Sequence, residues 1–198
     1  MKLWTHPITF GLLALTLPCF AIAGEETEFP QEPAVAKAAT PPATSEFATV
    51  EALVQALYQA VSFPAGTEPN WQRLKSMMGP KAIFVQPPRG GSKPMTLSVD
   101  EFIQLFKDDI ERSPMKTSGF HEKVGRVEIS RFGSLAHAMV VFEVRFDPKA
   151  EQPLGRGVDS LQLYRYDGRW WIASITTEYE RPGKPIPATF HQQEGKKP

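Results

Sequence analysis

Cysteine is almost missing from this sequence, and neither sign of charge is in excess. One cysteine, Cys19, occurs among 198 residues, so no intrachain disulfide can form. Lys plus Arg and Asp plus Glu each number 22, which gives no electrostatic case for nucleic acid or for an anionic membrane. The N-terminal apolar run, Ile8 to Leu17, is too short to span a bilayer. There is no His-Glu-x-x-His, no paired cysteines and no histidine cluster, so no metal site is expected. There is no Gly-x-Ser-x-Gly and no Walker loop. Gly155 and Gly157 do not make a dinucleotide fingerprint, so no cofactor is expected.

The N-terminus has the form of a secretory signal. Lys2 is the positive region, Ile8 to Leu17 the apolar core, and Ala21-Ile22-Ala23 a cleavage site before Gly24. Lipidation of Cys19 would call for a small residue before it, and Pro18 stands there. Cleavage after Ala23 would leave neither cysteine nor a stable membrane anchor. The expected organisation is a signal peptide over 1–23, a disordered Pro/Ala-rich linker over 24–46, a domain over 47–182 and a polar tail over 183–198. An exported protein, periplasmic or secreted, follows.

Within the domain, Val50, Leu53, Val54, Leu57, Tyr58 and Val61 form one helical stripe, with Thr49 as its cap. Asn70 caps a short second helix, Trp71 to Met78, and Gly79-Pro80 stops it. Ala82 to Gln86 reads as a strand, and Pro87-Pro88-Arg89-Gly90-Gly91 as a loop. Ser98-Val99-Asp100-Glu101 is a capping box for a third helix carrying Val99, Phe102, Ile103, Phe106 and Ile110. Strands are expected over about 120–131, 134–147, 157–167 and 169–180. Asp167-Gly168 is a hairpin turn, because both positions tolerate positive φ. The last strand is apolar on both faces, Trp170, Ile172 and Ser174 on one and Trp171, Ala173 and Ile175 on the other, as befits a central strand. The class is α+β.

Three helices followed by a curved antiparallel sheet ending in Asp167-Gly168-Arg169-Trp170-Trp171-Ile172 resemble the nuclear-transport-factor-2-like superfamily, the SnoaL-like and ketosteroid-isomerase-like cone. Trp71-Gln72-Arg73-Leu74 resembles the usual entry to the second helix, and Pro80-Lys81-Ala82-Ile83-Phe84 the usual first strand. Gly119-Phe120-His121-Glu122, Arg131 to His137, and Arg156 to Ile175 followed by Pro185-Ile186-Pro187-Ala188 are similar to exported bacterial members of unassigned function. The resemblance implies a cone-shaped fold over about Phe47 to Tyr179. The fold hosts isomerases, dehydratases, cyclases and plain binding proteins, so it names no activity.

In isomerase-like members an aspartate before a proline at the end of the first strand is the general base. Here Gln86 precedes Pro87, and an amide cannot take that proton. Asp159 loosely resembles the oxyanion-hole aspartic acid, three residues out of step with the turn; the other reading places it at a cavity rim or paired with Arg156. His137, Glu143 and Arg145 share one strand face with Leu135, Met139 and Val141. Facing inward, His137, Glu143 and Asp159 are the candidate catalytic residues; facing outward, His137, Glu143 and Arg145 become a solvated or partner-contacting stripe. Tyr58, Gln86, Arg89, Phe106, His137, Gln162 and Trp170 are the candidate pocket residues, with core packing the other reading of the aromatics. Arg89, in a Gly-rich loop at the expected mouth, is either a carboxylate receptor or simply solvated.

These readings lead to a cone-fold protein that binds a small apolar ligand in its cavity or self-associates through its sheet as a homodimer. A cofactor-independent isomerase, hydratase or cyclase is the alternative, and a structural interaction module with a filled cone the third reading. The dimer is expected from Trp171, Ala173 and Ile175 on the sheet's outer face.

Overall fold

The computed structural model describes residues 46–88 and 93–190. The expected signal segment, the linker up to residue 45 and Arg89 lie outside the described residues.

Helix α1 spans Val50–Val61, and Thr49 Oγ1 accepts from Ala52 N at 3.1 Å as its cap. Its whole apolar stripe is buried. Helix α2 spans Trp71–Met77, and Asn70 Oδ1 accepts from Arg73 N. The chain passes from α2 directly into strand β1, Met78–Gln86, which starts earlier than expected because Gly79 and Pro80 sit at a break in its pairing. Strand β2, Met95–Ser98, was not expected from the sequence. Ser98 ends it and also caps α3, Val99–Arg112: Glu101 N donates to Ser98 Oγ, and Glu101 Oε2 accepts from Ser98 N. This reciprocal pair satisfies donors that the first helical turn leaves free. A single-turn helix α4, Met115–Ser118, follows.

The remaining strands are β3 (His121–Phe132), β4 (Leu135–Arg145), β5 (Gly155–Tyr166) and β6 (Arg169–Tyr179). The six-stranded sheet runs β2-β1-β6-β5-β4-β3, so β6 is central, as its two apolar faces require. Every pair is antiparallel except β1 with β6. Asp167 and Gly168 turn the β5–β6 hairpin at φ 51° and 73°, values that suit its two-residue loop.

Two bulges decide which side chains face the helices. In β6, Ser174 pairs with Gln162 while Ile172 pairs with Leu163, so Ala173 is the extra residue. Past it the alternation is inverted, as happens whenever register slips by one. Ile175 and Thr177 therefore join Trp170 and Ile172 on the buried side. The expectation that Ile175 faces outward with Trp171 is corrected by this bulge. In β3, Val124 pairs with Phe142 and Val127 with Val140, which leaves Gly125 and Arg126 opposite Val141.

The core lies between α1, α2, α3 and the inner face of the sheet. Ala136, Ala138, Val140 and Phe142 of β4 enter it with Leu161 and Leu163 of β5. The odd positions of β4 consequently face away from it.

Candidate functional site

The core is not filled throughout. A cavity of about 170 Å³, partly open to solvent, is lined by α1, α3, α4 and the inner faces of β1, β3, β4, β5 and β6. Its walls are mainly aromatic. Phe84 and Phe102 stack face to face at 3.8 Å, and Phe106 meets Phe120 edge-on at 5.4 Å. Phe142 lies between Tyr58 and Tyr179, 5.8 and 6.0 Å from their rings. Phe102 and Phe106 are only half-buried within the protein because they look into this space.

Asp159 sits in this wall, 7 % exposed. The strand period puts it on the face of Leu161 and Leu163, opposite to Arg156. Tyr58 Oη donates to its Oδ2 at 2.7 Å and Thr177 Oγ1 donates to its Oδ1 at 2.7 Å. Burial pushes the Asp159 carboxyl up to about 6, against the pull of these two hydrogen bonds. Burial likewise raises the Tyr58 phenol, helped by the Asp159 charge. Glu122 enters the same cavity from β3. Its carboxyl is pushed up to about 8, first by burial and then by the charge of Asp159. Gln86 reaches in from the end of β1, 4 % exposed. Among the described residues no hydrogen bond reaches the side-chain amide of Gln86 or the carboxyl of Glu122.

Of the residues expected to line a pocket, Tyr58, Gln86 and Phe106 do so. Trp170 is a core residue beside α1, its amide donating to Phe47 O, and it does not reach the cavity. Gln162 is exposed on the outer face. His137 is on the outer face too, its Nε2 2.9 Å from Ser160 Oγ. Glu143 binds Arg145 Nη1 at 2.6 Å and Arg156 Nε at 3.3 Å on the same side, and these hydrogen bonds, that to Arg145 above all, hold its carboxyl below the usual range. The placement of His137, Gln162 and Glu143 in the cone is thus corrected: Ala136, Ala138, Val140 and Phe142 take the inner positions of β4, and the odd positions must point the other way. Asp159 pairs with Tyr58 and Thr177 instead of Arg156.

Glu122 and Thr177 were missed. Glu122 had a readable signal, since it alternates with Phe120 and Val124, a lone carboxylate on an otherwise apolar face. Thr177 had none, because the bulge at Ala173 moves it inward. Among the described residues no group of three His, Cys, Asp or Glu is arranged to hold a metal ion, and no helix is long and apolar enough to cross a membrane.

No family model and no curated protein matches the chain. Solved structures do. A protein of unknown function from Nostoc punctiforme with a cystatin-like fold aligns with a TM-score of 0.51 at 10% identity, over 66% of this chain and 88% of that one. A nuclear-transport-factor-2-like protein of unknown function from Pseudomonas putida aligns with a TM-score of 0.51 at 10% identity, over 73% of this chain and 93% of that one. The fold is nuclear-transport-factor-2-like. At such identities the likeness is one of fold alone. The cavity between the helices and the curved sheet holds the polar groups just described.

Proposed function

We propose that this cone-fold protein binds a small, mainly apolar molecule in the cavity, which it holds through a few polar groups at one side. The observation that carries this reading is the convergence of buried Gln86 and Asp159 and half-buried Glu122 on one aromatic-walled space. A core that needed only filling would hardly place in its wall two polar side chains that lack hydrogen-bond partners among the described residues. The cavity weighs against the reading of a filled cone that serves only as an interaction module. In a thermal-shift measurement, ring-sized organic molecules at about a hundred times their dissociation constant should stabilise the fold by about 3 kcal/mol. If no member of a broad set of such molecules raises the melting temperature, the reading fails.

A second reading, a cofactor-independent acid–base enzyme, is favoured by one observation. Asp159 and Glu122 share the cavity, yet are pushed up to different extents, to about 6 and about 8. Near pH 7 the pair holds one proton, with Asp159 placed as base and Glu122 as acid. The test is exchange of the α-protons of a ring-sized ketone in heavy water, followed by NMR. Enzymatic exchange should peak between about pH 6 and 8 and vanish in Asp159→Asn. Exchange no faster than in buffer sets this reading aside.

Export is proposed on the N-terminal signal-like segment alone. Mass spectrometry of the protein from its host should find Gly24 at the mature N-terminus, and an intact Met1 would refute it.

A further inference from the structure

We propose that the ligand of this cavity is a small organic cation, a protonated primary amine on an apolar group about the size of one aromatic ring. The proposal rests on the cavity being a ligand site, as argued above.

The size comes from the volume. A cavity of roughly 150 Å³ lined by apolar side chains accepts benzene, and this one measures about 170 Å³. One ring and a short substituent fill that volume.

The sign of charge comes from the lining. Asp109, Glu122 and Asp159 contribute to it, and among the described residues no Lys, Arg or His does. Asp109 lies within reach of Arg112, at 3.8 Å, which already balances its charge. Glu122 and Asp159 remain, two carboxyls near enough that the charge of one raises the other. An anion placed beside them would add a second negative charge to that of Asp159 in a space of low polarity. A neutral molecule would leave the Asp159 charge without an opposite charge beside it. A cation supplies that opposite charge, and aromatic rings such as those of Phe106, Phe120, Phe142 and Tyr179 in the wall favour cations as well.

The hydrogen-bonding type comes from the unpartnered groups. Gln86 is buried, faces the cavity and has no hydrogen-bond partner among the described residues. Its amide oxygen accepts, as do both oxygens of an ionised Glu122. Asp159 already accepts one bond at each oxygen, from Tyr58 and Thr177, and each oxygen keeps a second lone pair. Three acceptors match the three N–H donors of a primary ammonium. A quaternary ammonium would find the aromatic walls but leave Gln86 unpaired.

A proton is linked to this binding. Burial and the charge of Asp159 hold Glu122 protonated at neutral pH when the cavity is empty. An ammonium at its side reverses the second cause and supplies a partner, so Glu122 gives up its proton as the amine binds. The other ionisable groups around it are Tyr58 from α1, Asp109 from α3, Asp159 from β5 and Tyr179 from β6 in the cavity, and His121 and Lys123 of β3 with Arg145 of β4 in the neighbouring surface pocket that Glu122 also borders. Tyr58 is held neutral by burial. Affinity for the amine should therefore rise from pH 6 to pH 8.

The experiment is isothermal titration of the full protein with benzylamine, benzyl alcohol and benzoate, which share a ring and differ in charge. Benzylamine should bind about tenfold or more tighter than benzyl alcohol at pH 8, as charge-assisted hydrogen bonds and ring contacts imply. The preference should shrink at pH 6, and the heat should depend on the buffer because a proton is released. Glu122→Gln should lose most of the preference for the amine and keep its affinity for the alcohol, which also reports that its cavity is intact. Benzyl alcohol binding as tightly as the amine overturns the cation and leaves the cavity reading standing. A preference for benzoate does the same, and is the outcome expected if Arg89 governs recognition. An undiminished amine preference in Glu122→Gln overturns the assignment to that carboxyl. Binding by none of the three overturns this inference together with the reading it rests on.

Discussion

Glu122 and Asp159 resist ionisation inside the fold, and this gives the protein an unusual dependence on pH. A carboxyl whose folded pKa is raised binds more protons in the folded state than in the unfolded one, so stability falls as pH rises between the two values. For Asp159 the window runs from its ordinary value of 3.8 up to about 6, and for Glu122 from 4.5 up to about 8. The fold should thus be more stable at pH 5 than at pH 8, by a few kcal/mol. Thermal melts across this range test it, and Glu122→Gln should flatten the slope and stabilise the protein at pH 8. A melting temperature that rises with pH in the wild type would contradict the burial of these groups. Tyr58→Phe tests the partner side. It removes the phenol that donates to Asp159 Oδ2 and should lower stability at pH 8 by about 1–3 kcal/mol. The loss should be smaller at pH 5, where the neutral acid asks less of its donors.

Each strand feeds the cavity through one face, so its shape depends on a few positions in β4, β5 and β6. Gly157 of β5 pairs with Phe142 of β4. A Cβ at 157 would run into the Phe142 ring and come within 3.0 Å of the Glu178 carbonyl oxygen. Backbone cannot yield easily there, so Gly157→Ala should cost about 1–3 kcal/mol. It should also push Phe142 toward the cavity and weaken ring-sized ligands, which denaturant unfolding and titration would check together. Unchanged stability and binding would mean that the ring has room that the geometry does not show. The same elements show what could be read from sequence. The helical stripe of α1, the Ser98–Glu101 capping box and the Asp167-Gly168 turn are local devices, and local patterns specify them. The inward direction of Ile175 and Thr177 depends on an extra residue at Ala173, and no composition or period announces a bulge. The side taken by β4 was equally hidden. Both of its faces carry large apolar residues, and only the packing of Ala136, Ala138 and Val140 under the helices decides between them. His137 and Glu143 were candidates for that reason, while Glu122 escaped notice.

The outer face of the sheet bears on the whole molecule, because the expected dimer must form there. Ile175 no longer contributes to it. Trp171 does, half-buried, with the Arg169 guanidinium stacked 3.8 Å from its ring and its Nε1 donating to Tyr166 O. Met139 and Val158 are half-buried further along the same face, mixed with His137, Ser160 and Gln162. The C-terminal segment returns toward β3, where Arg126 Nη1 donates to the Thr189 carbonyl at 2.9 Å. Arg126 lies at the bulge opposite Val141, an outer-face residue only 7 % exposed. The area left for a second copy is therefore the middle of β4, β5 and β6, and it is more polar than the sequence implies. Self-association through this face stands as a proposal of a weak homodimer, since a polar, partly covered patch favours small interfaces over permanent ones. Light scattering should show a mass that rises toward the dimer as concentration increases through the micromolar range. Trp171→Glu should hold the protein monomeric, since it sets a carboxylate at the hairpin end of the patch, opposite Tyr164, and leaves the inner face untouched. Ligand affinity in the cavity should not change in that variant. A monomer at every concentration refutes the dimer, and a dimer that survives Trp171→Glu moves the interface to another surface.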